Sequence, residues 1–227
     1  MAMTVIAPNV LATTRHSLHG IAEGIVAGAQ FRAAGTMRLR SIPGGFGTVI
    51  PHGNFALVAV ETTDLVVTWT GGGSARWPLT GTFGALAATA GLPFGGLEDA
   101  YPGGLHVRPE EPIDVNPAAA AVLAAAWATG DAALRTLGAQ VAGQQPPAPV
   151  IWPEHFDIGI TLDDVNYGVS PGDDAIAEPY AYVGPHRPRQ GPFWNQPFGA
   201  ARTLRDLGDR PALVAFFTEG RRRAEQT

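Results

Sequence analysis

Cysteine and lysine are both missing from this chain of 227 residues. Without cysteine there is no disulfide, no thiolate nucleophile and no Cys-ligated zinc or iron–sulfur cluster. Without lysine there is no Schiff base, no anchor for PLP and no P-loop lysine. Charge is scarce too, at 15% of residues against the usual quarter or so. The net charge of −5 argues against nucleic acid as the main partner. The one basic run, Arg221, Arg222 and Arg223, reads as cations placed favourably against the last turn of a helix. The opening "MAMTVIAPNVLATTRHS" lacks the basic start and apolar core of a signal peptide. No uninterrupted apolar run approaches the ~18 residues that span a bilayer. The expectation is a cytoplasmic protein without a membrane partner.

In place of charge the chain has 29 glycines and 20 prolines, which predict long ordered loops. Arginine replacing lysine, with heavy use of Ala, Gly and Pro, suggests a high-GC bacterial genome. Periodic apolar runs rule out a disordered chain. The length fits a single domain over residues 1–227, with possible halves 1–92 and 116–227.

"TTRHSLHGIAEGIVAGAQFRAA" predicts a first helix, with Leu11, Leu18, Ile21, Ala22, Ile25 and Ala29 on one stripe. Thr13 or Thr14 is its expected cap and Gly35 its end. "TMRLRSI" reads as a strand and "PGGFG" as a turn. "ALVAVETTDLVVTWTGGGSARWPL" reads as two strands joined at "TTD", then a Gly-rich turn and a third strand. "GTFGALAATAGL" suggests a short helix. Residues 93–116 form a long Pro/Gly connection, of the kind that serves as a linker or a functional lid. Asn116 and Pro117 start a helix reaching about Gly143. Two or three strands follow from "VIWPEHFDIGITL" onward, then the loop "GPHRPRQGPFWNQPFG", then a last helix begun by Asp209 and Pro211. Strands clustered in runs predict an α+β fold with a mainly antiparallel sheet flanked by helices.

Known motifs fail. Ser74 in "GGGSARW" lacks the second glycine of a nucleophile elbow, and neither a dinucleotide fingerprint nor H-E-x-x-H occurs. "DDVNYG" has the wrong spacing for a calcium loop. Four constellations remain. His16, His19 and Glu23 fall within an arc of roughly 60° on the first helix, a chemically sensible partial set for a divalent metal, with His155 as a further ligand. The plain alternative is a solvated helix flank. If "WPEHFD" is a strand, His155 and Asp157 share a face, and a carboxylate beside an imidazole suits general acid/base work. The alternative is a surface pair or a satisfied buried histidine. Glu178, Tyr180 and Tyr182 alternate along one strand face and could line a pocket. In "GPFWNQPFG", Phe193, Trp194, Asn195 and Phe198 either rim a small-molecule site or plug the core. "SPGDD" is turn chemistry, although Asp163, Asp164, Asp173 and Asp174 together could hold a hard cation.

"LHGIAEGIVAG" leading into "GTMRLR", then "LVVTWTGGGSARWPL", "HFDIGI", "EPYAYVGP" and "FWNQPFGA" resemble, in order, a family of bacterial and chiefly actinobacterial proteins of unknown function. Members carry extra His and Trp near the second strand, where this chain has only His52 in "PHGNF". The resemblance implies that His19, His155 and the "EPYAY" strand belong to a family pattern. It brings no assigned reaction.

The expected function is an enzyme acting on a small organic molecule. His155, Asp157, His19 and Glu23 would do the chemistry, Trp152, Tyr180, Tyr182, Trp194 and Asn195 would hold substrate, and the aromatic loop would be the roof. A divalent metal is a candidate cofactor, and a homo-oligomer remains open. The alternatives are a non-catalytic small-molecule binder using the same groove and a structural or regulatory docking protein.

Overall fold

Proline at position 8 opens the first helix. Its fixed φ is already helical and its missing N–H is one that the first turn leaves unbonded anyway. In the computed structural model, which describes residues 6–98, 100–141 and 146–226, α1 spans Pro8–Ile21. The expected threonine cap is therefore an interior residue: Thr14 is buried, and its hydroxyl accepts the Asn116 N–H at 3.0 Å. The helix loosens into a π-helical segment, Ala22–Ala27, and resumes as α2, Gly28–Ala34. Gly35 ends it at φ +69, a left-handed cap that glycine adopts without strain.

The chain divides into two compact units, residues 2–125 with 151–156, and residues 126–150 with 157–227. The chain passes between them after Ala125, after Val150 and after Phe156. In the first unit the strands are β1 (Leu39–Ile42), β2 (Gly45–Thr48), β3 (Phe55–Glu61), β4 (Asp64–Trp69) and β5 (Ser74–Pro78). They form an antiparallel meander, each pairing with the next. The returning strand β6 (Val150–Trp152) pairs with β1 through Ile151 and Leu39. "GFG", expected as a turn, is strand β2. A side chain at Gly45 would collide with the Val60 carbonyl, so only glycine lets β3 lie so close. Helix α3 (Phe83–Thr89) is capped by Thr82, whose hydroxyl accepts the Ala85 N–H. Leu18, Ile21 and Ile25 of the helix, Phe46, Val58, Leu65 and Val67 of the sheet, and Phe83 are buried together as this unit's core.

Helix α4 (Pro117–Ala139) starts as expected, with the Asn116 side chain accepting the N–H groups of Ala118 and Ala119. Among the described residues it is the one helix long and apolar enough, by length and composition, to cross a membrane. Half of its most apolar window is nevertheless buried, and alanine rather than large apolar side chains gives it that character.

The second unit holds β7 (Asp157–Leu162), β8 (Val165–Ser170), β9 (Tyr180–Pro185) and β10 (Ala200–Thr203), again an antiparallel meander. The short turn helix α5 (Leu204–Leu207) and then α6 (Arg210–Glu225) complete it. Asp209 caps α6 by accepting the Ala212 N–H at 2.8 Å. Gly130 of α4 and Gly220 of α6 sit where a methyl would press on Val169 and Val183, so both helices approach the strands closely. Phe216, Phe217, Tyr167, Ile158 and Val183 are buried between them. Each unit is helix on antiparallel sheet, and the fold is α+β.

Candidate functional site

Loop 93–116 is bound along the first helix by that helix's own polar side chains. Ser17 accepts the Asp114 N–H at 2.9 Å, and Thr14 accepts that of Asn116. Arg32 donates to the Phe94 carbonyl at 2.7 Å. Three glycines four residues apart, Gly20, Gly24 and Gly28, expose helix backbone to this segment. A Cβ on Gly20 would meet Phe83 and Val107 at 2.8 Å, one on Gly24 would meet Phe94 at 2.8 Å, and one on Gly28 would collide with the Gly95 carbonyl. The Gly24 carbonyl, in the π-helical segment, accepts the Gly95 N–H at 2.7 Å. π-Helical turns of this kind recur at functional sites.

Glu23 lies at the centre of this arrangement. It is 4% exposed, and Oε2 accepts the N–H groups of Leu105 at 2.9 Å and His106 at 3.1 Å. Oε1 faces His106 Nδ1 at 3.2 Å, but no hydrogen bond of good geometry reaches it. His106 has φ +50, a left-handed conformation uncommon away from glycine. It folds the loop so that two successive amides and the imidazole of one residue point at one carboxylate. Burial raises the Glu23 pKa above its ordinary value; the His106 and Leu105 amides and the His106 ring pull it down, and nearby Glu98 adds to the rise. Glu23, Phe94, Leu97, Glu98, His106 and Val107 surround a cavity of about 10 Å³, room for about one water-sized group.

His19 lies one turn earlier. Its Nε2–H donates to the Pro153 carbonyl at 2.7 Å, and its ring stacks on Phe156 at 5.0 Å. A carbonyl only accepts, so the proton is on Nε2. Desolvation lowers the His19 pKa to about 4 against the pull of that carbonyl, with His16, His155 and Arg15 adding to the fall. At neutral pH the ring is neutral. The first helix and residues 152–156 thus meet within one unit, through the Pro153 carbonyl and the Phe156 ring.

That segment is a turn, not a strand. The Trp152 carbonyl accepts the N–H groups of His155 and Phe156, and Phe156 has φ +58. The alternation that would set His155 beside Asp157 is therefore absent. His155 is exposed and pairs with Tyr101, Nε2 to OH 3.4 Å, with the rings edge to face. Trp152 lies under the Arg38 guanidinium at 5.5 Å. His16 is exposed and sits 3.7 Å from Glu111. The expected metal set of His16, His19, Glu23 and His155 does not gather. Each of the four has a different partner, and among the described residues no three His, Asp or Glu side chains converge to hold a metal.

The other expected residues belong to the second unit. Tyr182 donates a short hydrogen bond to Asp157, and Tyr180 donates to Asp173 at 2.6 Å. Burial raises the pKa of both phenols well above the usual value, with the neighbouring aspartates adding to it. Gly159 and Gly168 leave the notch that the Tyr182 ring fills. Glu178 lies before β9, not on it, and pairs with Arg205 at 2.9 Å. Asp173 closes a turn by accepting the Ala175 and Ile176 N–H groups, while Asp163 pairs with Arg221. Asn195 makes two bonds with the Ala201 backbone, fixing the aromatic loop to β10. Trp194 packs edge-on to Phe193, which lies against Phe216 and under Arg223. In its own unit this loop is a packed cover on α6.

His106 and Glu98 were absent from the sequence reading. The signal for them was the glycine spacing in "HGIAEGIVAG", which marks the helix face that a loop approaches closely. Comparison with protein-family models, with curated proteins and with solved structures finds no match to this chain.

Proposed function

We propose that this protein is an enzyme acting on a small organic molecule by general acid/base chemistry, with Glu23 and His106 as the proton-handling pair. One observation carries the reading. A carboxylate 4% exposed keeps an oxygen without a hydrogen bond, 3.2 Å from an imidazole, at the wall of a water-sized cavity. A buried acid that serves only the fold costs stability unless its bonds are complete. A raised carboxyl pKa beside an imidazole is what proton transfer near neutral pH requires. His106 is 28% exposed at its side chain, so it is the member of the pair within reach of solvent and substrate. Tyr101, half-buried on the same loop, and the exposed His155 offer polar groups in the same unit for substrate. His19, neutral and bonded to Pro153, orients the 153–156 turn.

Glu23→Gln tests this. The amide oxygen can still accept the two loop N–H groups, and its NH2 can donate toward His106 Nδ1. The variant should unfold at the same or a higher temperature than the wild type. In the wild type the Glu23 carboxyl, followed by 13C NMR, should titrate above the ordinary glutamate value. A large loss of stability in the variant, with the wild-type Glu23 carboxyl titrating in the ordinary range, would make Glu23 a loop clasp and sink the enzyme reading. The second reading is a ligand-binding protein using the same cavity, favoured by its Phe94, Leu97 and Val107 walls. In that case the His106→Ala variant keeps ligand affinity.

A further inference from the structure

We propose that the cavity beside the π-helical segment recognises a primary ammonium group, so that the substrate class is small primary amines. This rests on the reading of Glu23 and His106 as the proton-handling pair and deepens it.

The cavity wall carries few polar side chains. Its polar groups are the Glu23 carboxylate, the Glu98 carboxylate and the His106 ring. Glu23 Oε1 is buried with His106 Nδ1 at 3.2 Å and no hydrogen bond of good geometry, so a guest that completes its bonding brings a donor. Both Glu23 and Glu98 line the same small space, and Glu98 makes ionisation of Glu23 harder. Arg32 donates to the Phe94 carbonyl and lies against Gly96, and its charge acts on Glu98. Glu98 accepts the Gly96 N–H at 2.7 Å, which holds it at the rim. A guest therefore needs positive charge, several donors and no acceptor. An ammonium group has all three.

Size narrows the class. A cavity of about 10 Å³ admits one water-sized group, which an –NH3+ head is and a trimethylammonium or guanidinium head is not. The remaining walls are the Phe94 ring and the side chains of Leu97 and Val107. An aromatic ring attracts a cation, and apolar walls offer an anion nothing. Glu98 and the partly exposed His106 lie on the solvent side, so the organic part of the amine would extend outward past them.

The test is a titration of the whole protein with n-butylammonium, with tetramethylammonium, sodium and n-butanol as comparisons at fixed ionic strength. It is read by the amide resonances of Gly95, Leu105 and His106. The chain has no lysine, so few ammonium groups of its own complicate the readout. The expected result is a saturable shift with n-butylammonium and at least tenfold weaker binding of the comparisons. Affinity should fall at least tenfold in Glu98→Gln, whose exposed side chain leaves folding intact, and in Glu23→Gln. An equal response to tetramethylammonium or sodium, no saturable shift, or unchanged affinity in Glu98→Gln would each overturn the ammonium assignment. If amines fail while the Glu23 carboxyl titrates above its ordinary value, the ammonium assignment falls and the acid/base reading stands. If amines bind and Glu23 titrates in the ordinary carboxyl range, the acid/base reading falls alone.

Discussion

His19 and Glu23 lie four residues apart on one helix and respond to pH in opposite directions. His19 has its pKa lowered to about 4, so the folded state holds it neutral while the unfolded chain protonates near 6.5. Its contribution to stability is present above pH 6.5 and is lost as pH falls toward 4, a loss on the order of 3 kcal/mol. Glu23 has its pKa raised. Its contribution is present below the ordinary carboxyl value and is lost as pH rises through the raised one. Acid therefore weakens the fold at His19 and relieves it at Glu23. Unfolding free energy measured from pH 7 to 4 should fall more steeply in Glu23→Gln than in the wild type, and less steeply in His19→Gln. Tyr182 poses a simpler question. Removing its hydroxyl deprives the Asp157 carboxylate of a buried donor, so Tyr182→Phe should cost about 1–3 kcal/mol. A lower urea midpoint at unchanged m would show it. Residue chemistry was partly legible in the sequence. His19, Glu23, Asp157 and Tyr182 all stand in partnered, desolvated positions. Their partners could not be read, because Pro153 and His106 are 134 and 83 residues away from theirs along the chain.

At the scale of the element, the first helix shows how glycine spacing overrides propensity. Replacing glycine by alanine inside a helix ordinarily gains up to about 1 kcal/mol. Gly28→Ala should instead destabilise by about 1–3 kcal/mol, because its methyl would collide with the Gly95 carbonyl. Amide exchange at Gly95 and Leu105 should speed up together, since both hold the loop to this helix. No such collision accompanies Asp209→Ala, which should lose only the cap on α6, about 1 kcal/mol, measured as a lower unfolding midpoint. Elements with a clear local signal were legible. Asn116–Pro117 and Asp209 began helices as expected, and "TTD" joined two strands. "GFG" and "WPEHFD" were not, because glycine that makes room for a neighbouring strand looks the same in sequence as glycine that makes a turn. The left-handed φ at Phe156 has no local signature either.

At the scale of the molecule, the first unit is discontinuous in sequence. Residues 151–156 bring it strand β6, the Pro153 carbonyl that holds His19, and the Phe156 ring that packs on His19 and Phe46. A fragment of residues 1–125 lacks all three. Its NMR spectrum should show poor dispersion and its unfolding should lose cooperativity. Contacts so distant along the chain also predict folding on the millisecond-to-second scale, checked by stopped-flow fluorescence. The sequence by itself determined the α+β class, the helix starts at Asn116 and Asp209, the antiparallel strand runs and the exclusion of cysteine and lysine chemistry, because these follow from composition and from periodicity over a few residues. Only the tertiary structure decided that the loop after α3 folds back onto the helix at Glu23 and brings His106 to it, and that "WPEHFD" turns instead of pairing. Those outcomes depend on close approach between distant segments, and no local pattern encodes which segment will arrive.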